Sequence, residues 1–230
     1  MVRPGGQGHA GEPRLPATIA VLAAVALYTL LPTRLIVGPR FIVPILELLL
    51  FIPLVAANPR RMTRHNRALR RLAIALVLLI ALANAVALVL LIRELVAGRT
   101  PHGPALLRAA GQVWLTNIIV FALAYWELDR GGPVSRTQTP RLELPAADFR
   151  FPQDEDHDAI AEVAAGSSAT SGWVPAFIDY LYVSVTNSSA FSPTDTMPLS
   201  PRAKVLMAIE SVSAVVLSVL VIAHGVSVLR

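Results

Sequence analysis

The chain has 230 residues, of which 54% are apolar and only 15% are charged, and its formal net charge is +5. Soluble domains carry about 25% charged residues, so this composition argues against a soluble globular domain and for apolar membrane segments separated by polar loops. The chain has no cysteine, which excludes disulfides and thiolate metal sites. Its arginines flank apolar runs rather than covering a polar surface, so nucleic-acid binding is not predicted.

The apolar runs predict an all-α, polytopic transmembrane helix bundle of five or six spans. Residues 1–14 are rich in glycine and proline and are predicted to form a disordered tail. Apolar runs follow at 15–31, 41–57, 72–92 and 109–128, and residues 15–128 are predicted to form a four-helix transmembrane region. The run at 72–92 is the clearest, because about 20 apolar residues suffice to cross a bilayer. Tyr125 and Trp126, at the end of the fourth run, fit an interfacial aromatic belt.

Residues 129–172 are predicted to form a polar, acidic loop. It contains the acidic run 154–158 and an alanine-rich stretch, 159–165, which predicts a short surface helix. The carboxylates of the acidic run are oxygen ligands that suit Ca²⁺ or Mg²⁺, but the run lacks the spaced pattern of a cation-binding loop. We therefore interpret it as a solvated run of charges and predict no metal and no cofactor.

Two further runs, at 173–191 and 205–229, complete the chain, and the first of them is ambiguous. If it crosses, the chain has six spans and both termini lie in the cytoplasm. If it is a re-entrant hairpin, the chain has five spans and its termini lie on opposite sides. The arginine cluster at 58–71 predicts a cytoplasmic loop in either case. The sequence favours six crossings, although a run this polar is marginal for insertion.

The order of features in residues 173–230 resembles the pore module of potassium-type ion channels. An aromatic segment, 180–189, corresponds to the pore helix; residues 186–194 correspond to the filter; an Asp-x-x-Pro turn at Asp195 leads to an inner helix, 205–229. This resemblance implies a functional segment formed by Thr186, Asn187, Ser188, Ser189 and Asp195. No glycine occurs between Val174 and His224, so a potassium-type filter, which needs glycine, is not expected. The alternative is a polar helix end packed inside the bundle.

Three blocks resemble a family of bacterial inner-membrane proteins of unknown function. They are residues 125–132 (YWELDRGG), 149–153 (FRFPQ) and 179–198, which begins DYLY and ends AFSPTDTMP. The resemblance covers roughly the C-terminal half and implies a location in the bacterial cytoplasmic membrane. It implies no chemistry.

Polar residues inside apolar runs are the remaining candidates. Glu47, Glu210 and His224 are costly in a bilayer, so each needs a partner or water. Glu210 and His224 are four helical turns apart, which would place them on one face and suggests a proton or cation path; alternatively, each is hydrated near an interface. Asn84, Gln112 and Asn117 are predicted to form interhelical hydrogen bonds.

The sequence thus predicts a channel-like or transport-related protein, and no enzyme motif is recognisable. The expected partners are the lipid bilayer and other copies of the chain in a homo-oligomer, with a small solute or ion of unknown identity. The alternative is a non-transporting scaffold or sensor that binds a partner through residues 129–172.

Overall fold

The computed structural model describes residues 11–64, 66–97, 103–189, 192 and 195–228. The helices are α1 Leu15–Thr29, α2 Ile42–Ala57, α3 Arg67–Ala97, α4 Gly103–Leu128, α5 Pro133–Gln138, α6 Ala161–Ala164, α7 Ser168–Ser171, α8 Phe177–Ser189 and α9 Pro201–Val228. The strands are β1 Glu12–Pro13, β2 Arg61–Met62, β3 Phe149–Arg150 and β4 Met197–Pro198. These strands have only two residues each and form two antiparallel pairs, β1–β2 and β3–β4. Helices make up most of the described residues, so the predicted all-α class is confirmed.

Three helices are long and apolar enough to cross a membrane. They cover Arg67–Ala97, Pro104–Gly131 and Pro201–Ala223. The helices Leu15–Thr29 and Ile42–Ala57 are apolar but shorter. The second of these contains Pro53, and proline disrupts the hydrogen-bond ladder inside a helix.

The first four helices run alternately between two ends of the bundle. Strand β1 precedes α1 and pairs with β2, which follows α2; the Trp126 indole, near the end of α4, donates to Glu12 in β1. These contacts define what we call the Asp129 end. At the far end, Leu35 packs in one cluster with Leu95 of α3 and Leu106 of α4.

Helix α4 is the central helix of the bundle. It packs against α1, α3, α8 and α9, and 61% of its most apolar stretch is buried, compared with 39% for α3 and 22% for α9. The Asn84 amide of α3 donates to Oδ1 of Asn117 in α4 at 3.2 Å, which confirms that predicted interhelical hydrogen bond.

Helices α8 and α9 are parallel and both begin at the Asp129 end. Tyr180, in the first turn of α8, bonds to Asp129 just beyond α4; Arg202, in the first turn of α9, pairs with Asp148 of the same region. Further from the Asp129 end, the Asn187 side-chain amide of α8 donates to the Met207 carbonyl oxygen of α9. With 13 residues, α8 rises about 20 Å, less than the hydrocarbon thickness of about 30 Å.

Two segments are more ordered than the sequence predicts. Most of the predicted disordered tail, residues 1–10, lies outside the described residues, but Glu12 belongs to β1 and is buried, because its carboxylate accepts buried hydrogen bonds. In the predicted polar loop, Arg136, Phe149 and Phe151 are buried. The predicted surface helix is present as the exposed helix α6.

Candidate functional site

Glu210 of α9 lies at the centre of a buried polar cluster between α4, α8 and α9. Its side chain has no solvent exposure, although it is a carboxylate in an apolar helix. Oε2 accepts hydrogen bonds from the Tyr125 hydroxyl at 2.5 Å and the Asn187 amide at 2.7 Å. Oε1 accepts from the Ser188 hydroxyl at 3.0 Å and from the Ser184 hydroxyl. We call these five residues the Glu210 cluster.

The helical period of α8 explains why three of its side chains reach the same carboxylate. Ser184, Asn187 and Ser188 stand at positions i, i+3 and i+4, which share one face of a helix. The tyrosine comes from the antiparallel helix α4. The cluster therefore ties α8 and α9 to the central helix of the bundle.

A second layer of contacts fixes the orientation of these groups. The Asn187 amide also donates to the Met207 carbonyl at 3.0 Å, and its Oδ1 accepts from the Ser211 hydroxyl at 2.9 Å. The Ser184 hydroxyl lies 2.9 Å from the Ile118 carbonyl oxygen. The polar atoms of Asn187 are thus fully bonded, as a buried amide requires.

Neutral donors alone surround the Glu210 carboxylate in the described part of the chain, where no salt bridge to it forms. An ionised Glu210 would be a negative charge stabilised by two hydroxyl groups, a phenol and an amide. A protonated Glu210 would still be bonded, since serine hydroxyls accept as well as donate. The arrangement therefore suits a group that gains and loses a proton while the heavy atoms around it stay in place, since a serine hydroxyl needs only to turn its hydrogen away.

Two residues of the predicted segment join this cluster and three do not. Asn187 and Ser188 are buried in it. Thr186 is half-buried and bonds to the Tyr182 carbonyl, while Ser189 is exposed and bonds to the Val185 carbonyl, because both lie on other faces of α8. Asp195 is exposed in the turn before β4.

Of the three predicted intramembrane residues, Glu47, Glu210 and His224, the first two differ in what surrounds them. Glu210 is buried, and protein groups rather than solvent bind its carboxylate. Glu47 is 1% exposed, and its Oε2 atom has no hydrogen-bond partner among the described residues. The side chain of His224 lies outside the described part of the structure.

Asp129 positions the start of α8 relative to the rest of the bundle. Its buried Oδ2 accepts from the Tyr180 hydroxyl at 2.5 Å, and its Oδ1 accepts from the Asp148 and Phe149 amides at 2.7 and 3.3 Å. Asp148 in turn binds Nε and Nη2 of Arg202 at 2.6 and 2.5 Å. One carboxylate therefore holds α8 directly and α9 through Asp148.

No family model, no curated protein and no solved structure matches this chain. The roles of its residues consequently follow from geometry and chemistry alone.

Arg136 and Glu12 form a buried charged pair, which the sequence does not predict. Arg136 is 2% exposed; its guanidinium lies 3.5 Å from the Glu12 carboxylate and 4.9 Å from the centre of the Tyr180 ring. Burial raises the pKa of Glu12, although Arg136, the Phe177 amide and the Trp126 indole act in the opposite direction. This pair fixes the N-terminal segment against α4 and α8.

The described residues contain no group of three or more His, Asp or Glu side chains that could hold a metal ion. In the acidic run, Asp154 pairs with Arg130 and Glu155 pairs with Arg150, each at 2.6 Å. These two carboxylates are therefore ion-paired rather than merely solvated.

Proposed function

We propose that the chain is a multi-pass protein of the cytoplasmic membrane with five crossings and one re-entrant helix. In this topology α1, α2, α3, α4 and α9 cross, and α8 enters and leaves on one side. The parallel α8 and α9, both starting at the Asp129 end, support this over six crossings. Helices α1 and α2 have 15 and 16 residues and rise about 22 and 24 Å, so crossing requires the flanking apolar residues or a locally thinner bilayer.

The distribution of basic residues favours a cytoplasmic Asp129 end. Among the described residues, the basic side chains toward the far end are Arg34, Arg40, Arg93 and Arg108. The arginines of the 58–71 segment, and those that follow α4, lie toward the Asp129 end. Positively charged loops remain in the cytoplasm, so the N-terminal segment would be inside and the C-terminus outside.

Within this topology we propose a channel-like transport function in which Glu210 carries protons. The observation that carries this proposal is the polar face of α8, which hydrogen-bonds to the buried carboxylate of Glu210 in an apolar helix. Glu210 is nine residues from the start of α9, which corresponds to about 14 Å of a hydrocarbon layer about 30 Å thick. A buried ionisable residue at this depth is a functional candidate, since its insertion costs about 2.5–3.5 kcal/mol.

The closed geometry of the Glu210 cluster favours the proton over larger species. Hydrogen-bond donors occupy both carboxylate oxygens, so a solute or hydrated ion would have to displace them. A proton needs no such space and moves along hydroxyl groups such as those of Tyr125 and Ser184. The absence of glycine near the end of α8 also disfavours a filter lined by backbone carbonyls.

Proton flux into proteoliposomes tests this proposal. Purified protein is reconstituted with a pH-sensitive dye inside the vesicles, and a potassium gradient with valinomycin supplies the driving potential. Wild-type protein should acidify the lumen, and Glu210→Gln should lower the rate at least about tenfold, since it removes the titrating group. Glu162→Gln, the same substitution in the exposed helix α6, is the matched control and should leave the rate unchanged. A wild-type rate equal to that of empty vesicles, or an unchanged rate in Glu210→Gln, would contradict the proposal.

A partner-binding scaffold is the second candidate, and one surface feature favours it. Ile160 and Val163 are 65% and 42% exposed within an acidic stretch outside the bundle. Deletion of residues 156–165 removes this surface but keeps the buried Arg136, Asp148 and Phe149. If the scaffold function holds, the deletion should abolish capture of a partner while the protein still inserts in the membrane; retained capture would refute it. The predicted homo-oligomer stays a prediction.

A further inference from the structure

A cavity at the Asp129 end lies between α1, α2, α3 and α4, and no residue of the Glu210 cluster lines it. Its volume is about 90 Å³. Its inner wall is apolar and includes Val21, Phe51, Leu54, Leu76 and Leu123. Its polar lining includes Arg14, Asn58, Arg64, Asn66, Arg70 and Glu127. Cationic and apolar surfaces in one cavity suit an amphiphile with a charged head.

Glu127 gives the cavity an acidic group without a hydrogen-bond partner. It is 7% exposed, and among the described residues no side chain or backbone group donates a hydrogen bond to its carboxylate. Gly132 keeps the space beside it open, because a Cβ there would lie 3.5 Å from Glu127 Oε2 and 3.2 Å from its carbonyl oxygen. Gly132 also has a φ of +93°, which favours glycine. The Glu127 oxygens are not fully enclosed, so water or a ligand that enters the cavity can supply the donor.

The arginines supply the opposite charge at the same cavity. Arg14 lies over the Phe51 ring at 5.9 Å, and its buried Nε atom has no hydrogen-bond partner in the described structure. Burial lowers the pKa of Arg14, and the charge of Glu127 opposes this shift. Arg70 also acts electrostatically on Glu127, and Arg64 is exposed at the rim. Three guanidinium groups and one carboxylate leave an excess of positive charge.

We propose that this cavity binds the headgroup of an aminophospholipid, with the phosphate among Arg14, Arg64 and Arg70 and the ammonium group at Glu127. A phosphodiester accepts the guanidinium hydrogen bonds, and a primary ammonium group supplies the donors that Glu127 lacks. The glycerol and the first carbons of an acyl chain lie against Phe51, Leu54 and Leu76. A purely anionic lipid would satisfy the arginines but leave water as the only donor to Glu127.

Lipid-dependent thermal stability of the delipidated protein in detergent tests this inference. The probes are phosphatidylethanolamine, phosphatidylcholine, which has no ammonium N–H, and phosphatidylglycerol, which has no amine; all carry the same acyl chains. Wild-type protein should bind phosphatidylethanolamine at least about tenfold more tightly than the other two. Equal affinities for the three lipids in the wild type would overturn the proposal, whether or not any variant folds.

Two variants and one control locate the effect. Glu127→Gln should lose the preference for phosphatidylethanolamine, and Arg14→Gln should lower the affinity for each of the three lipids about tenfold. Arg67 is an exposed arginine of α3 that does not line the cavity, so Arg67→Gln should change neither the preference nor the affinities. Retention of the preference in Glu127→Gln would overturn the assignment of the ammonium site. Equal stabilisation by glycerophosphoethanolamine, which has no acyl chains, would instead indicate a soluble ligand and overturn the lipid proposal.

Discussion

Replacement of Tyr125 by phenylalanine isolates the hydrogen bond between the central helix and Glu210. The tyrosine ring has no solvent exposure and lies edge-on to Phe149 with centres 5.0 Å apart, so phenylalanine keeps this packing. What is lost is the donor to Glu210 Oε2 at 2.5 Å. The substitution therefore changes one interaction without opening a cavity.

The expected cost depends on the charge of the acceptor. A hydrogen bond to a charged group contributes about 1.5–3 kcal/mol, whereas a neutral pair contributes about 1 kcal/mol. Reversible unfolding in mixed micelles should therefore show a loss of about 1.5–3 kcal/mol for Tyr125→Phe if Glu210 is ionised. In a Glu210→Gln background the same change should cost about 1 kcal/mol less, and this difference is the coupling energy of the pair.

Tyr28→Phe is the matched control for this experiment. Tyr28 is 7% exposed in α1, and its hydroxyl makes no hydrogen bond within the described structure. The same loss of a hydroxyl should cost little there. A Tyr125→Phe variant no less stable than Tyr28→Phe would refute the view that the Glu210 cluster holds α4 to α9.

Three further substitutions separate strong contacts from weak ones in the same unfolding assay. Asn84→Leu should cost only about 0.6 kcal/mol, the usual contribution of an interhelical hydrogen bond in a bilayer; a cost above about 2 kcal/mol would contradict this. Asp129→Ala should cost about 3 kcal/mol or more, because it leaves the Tyr180 hydroxyl and two backbone amides without their acceptor. A near-neutral effect would argue that Asp129 does not position α8. Arg202→Gln should cost about 1.5–3 kcal/mol, because the Asp148 side chain is only 2% exposed and loses two charge-assisted donors, although Arg202 itself is 54% exposed; a cost near zero would show that solvent screens this pair.

The helices of the bundle could be predicted because each depends on residues close together in the chain. The run at 72–92 lies within α3, and the run at 109–128 lies within α4, as hydropathy over about 20 residues indicates. The polar pattern of α8 is predicted less well, because neighbours in sequence, Thr186, Asn187, Ser188 and Ser189, lie on different faces of the helix. The helical period instead groups Ser184 with Asn187 and Ser188, and this signal was present in the sequence.

The partners of the buried polar groups could not be predicted, since they come from distant segments. Tyr125 and Glu210 are 85 positions apart, and Glu12 is 165 positions from Phe177, whose backbone amide donates to it. Hydropathy predicts an interfacial belt at Tyr125 and Trp126, but both are buried, with their polar atoms bonded to carboxylates. Local composition cannot distinguish an aromatic residue at an interface from one that meets a distant acid.

Labelling of single cysteines tests the re-entrant topology most directly, since the natural chain has no cysteine and gives no background. Glu162→Cys precedes α8, Leu199→Cys follows it, and both positions are exposed; Val37→Cys, 68% exposed at the far end, reports the opposite side. An impermeant maleimide added to intact cells should label Val37→Cys alone, and all three should react after the membrane is opened. Labelling of Glu162→Cys and Leu199→Cys from opposite sides would mean that α8 crosses the membrane and would contradict the account.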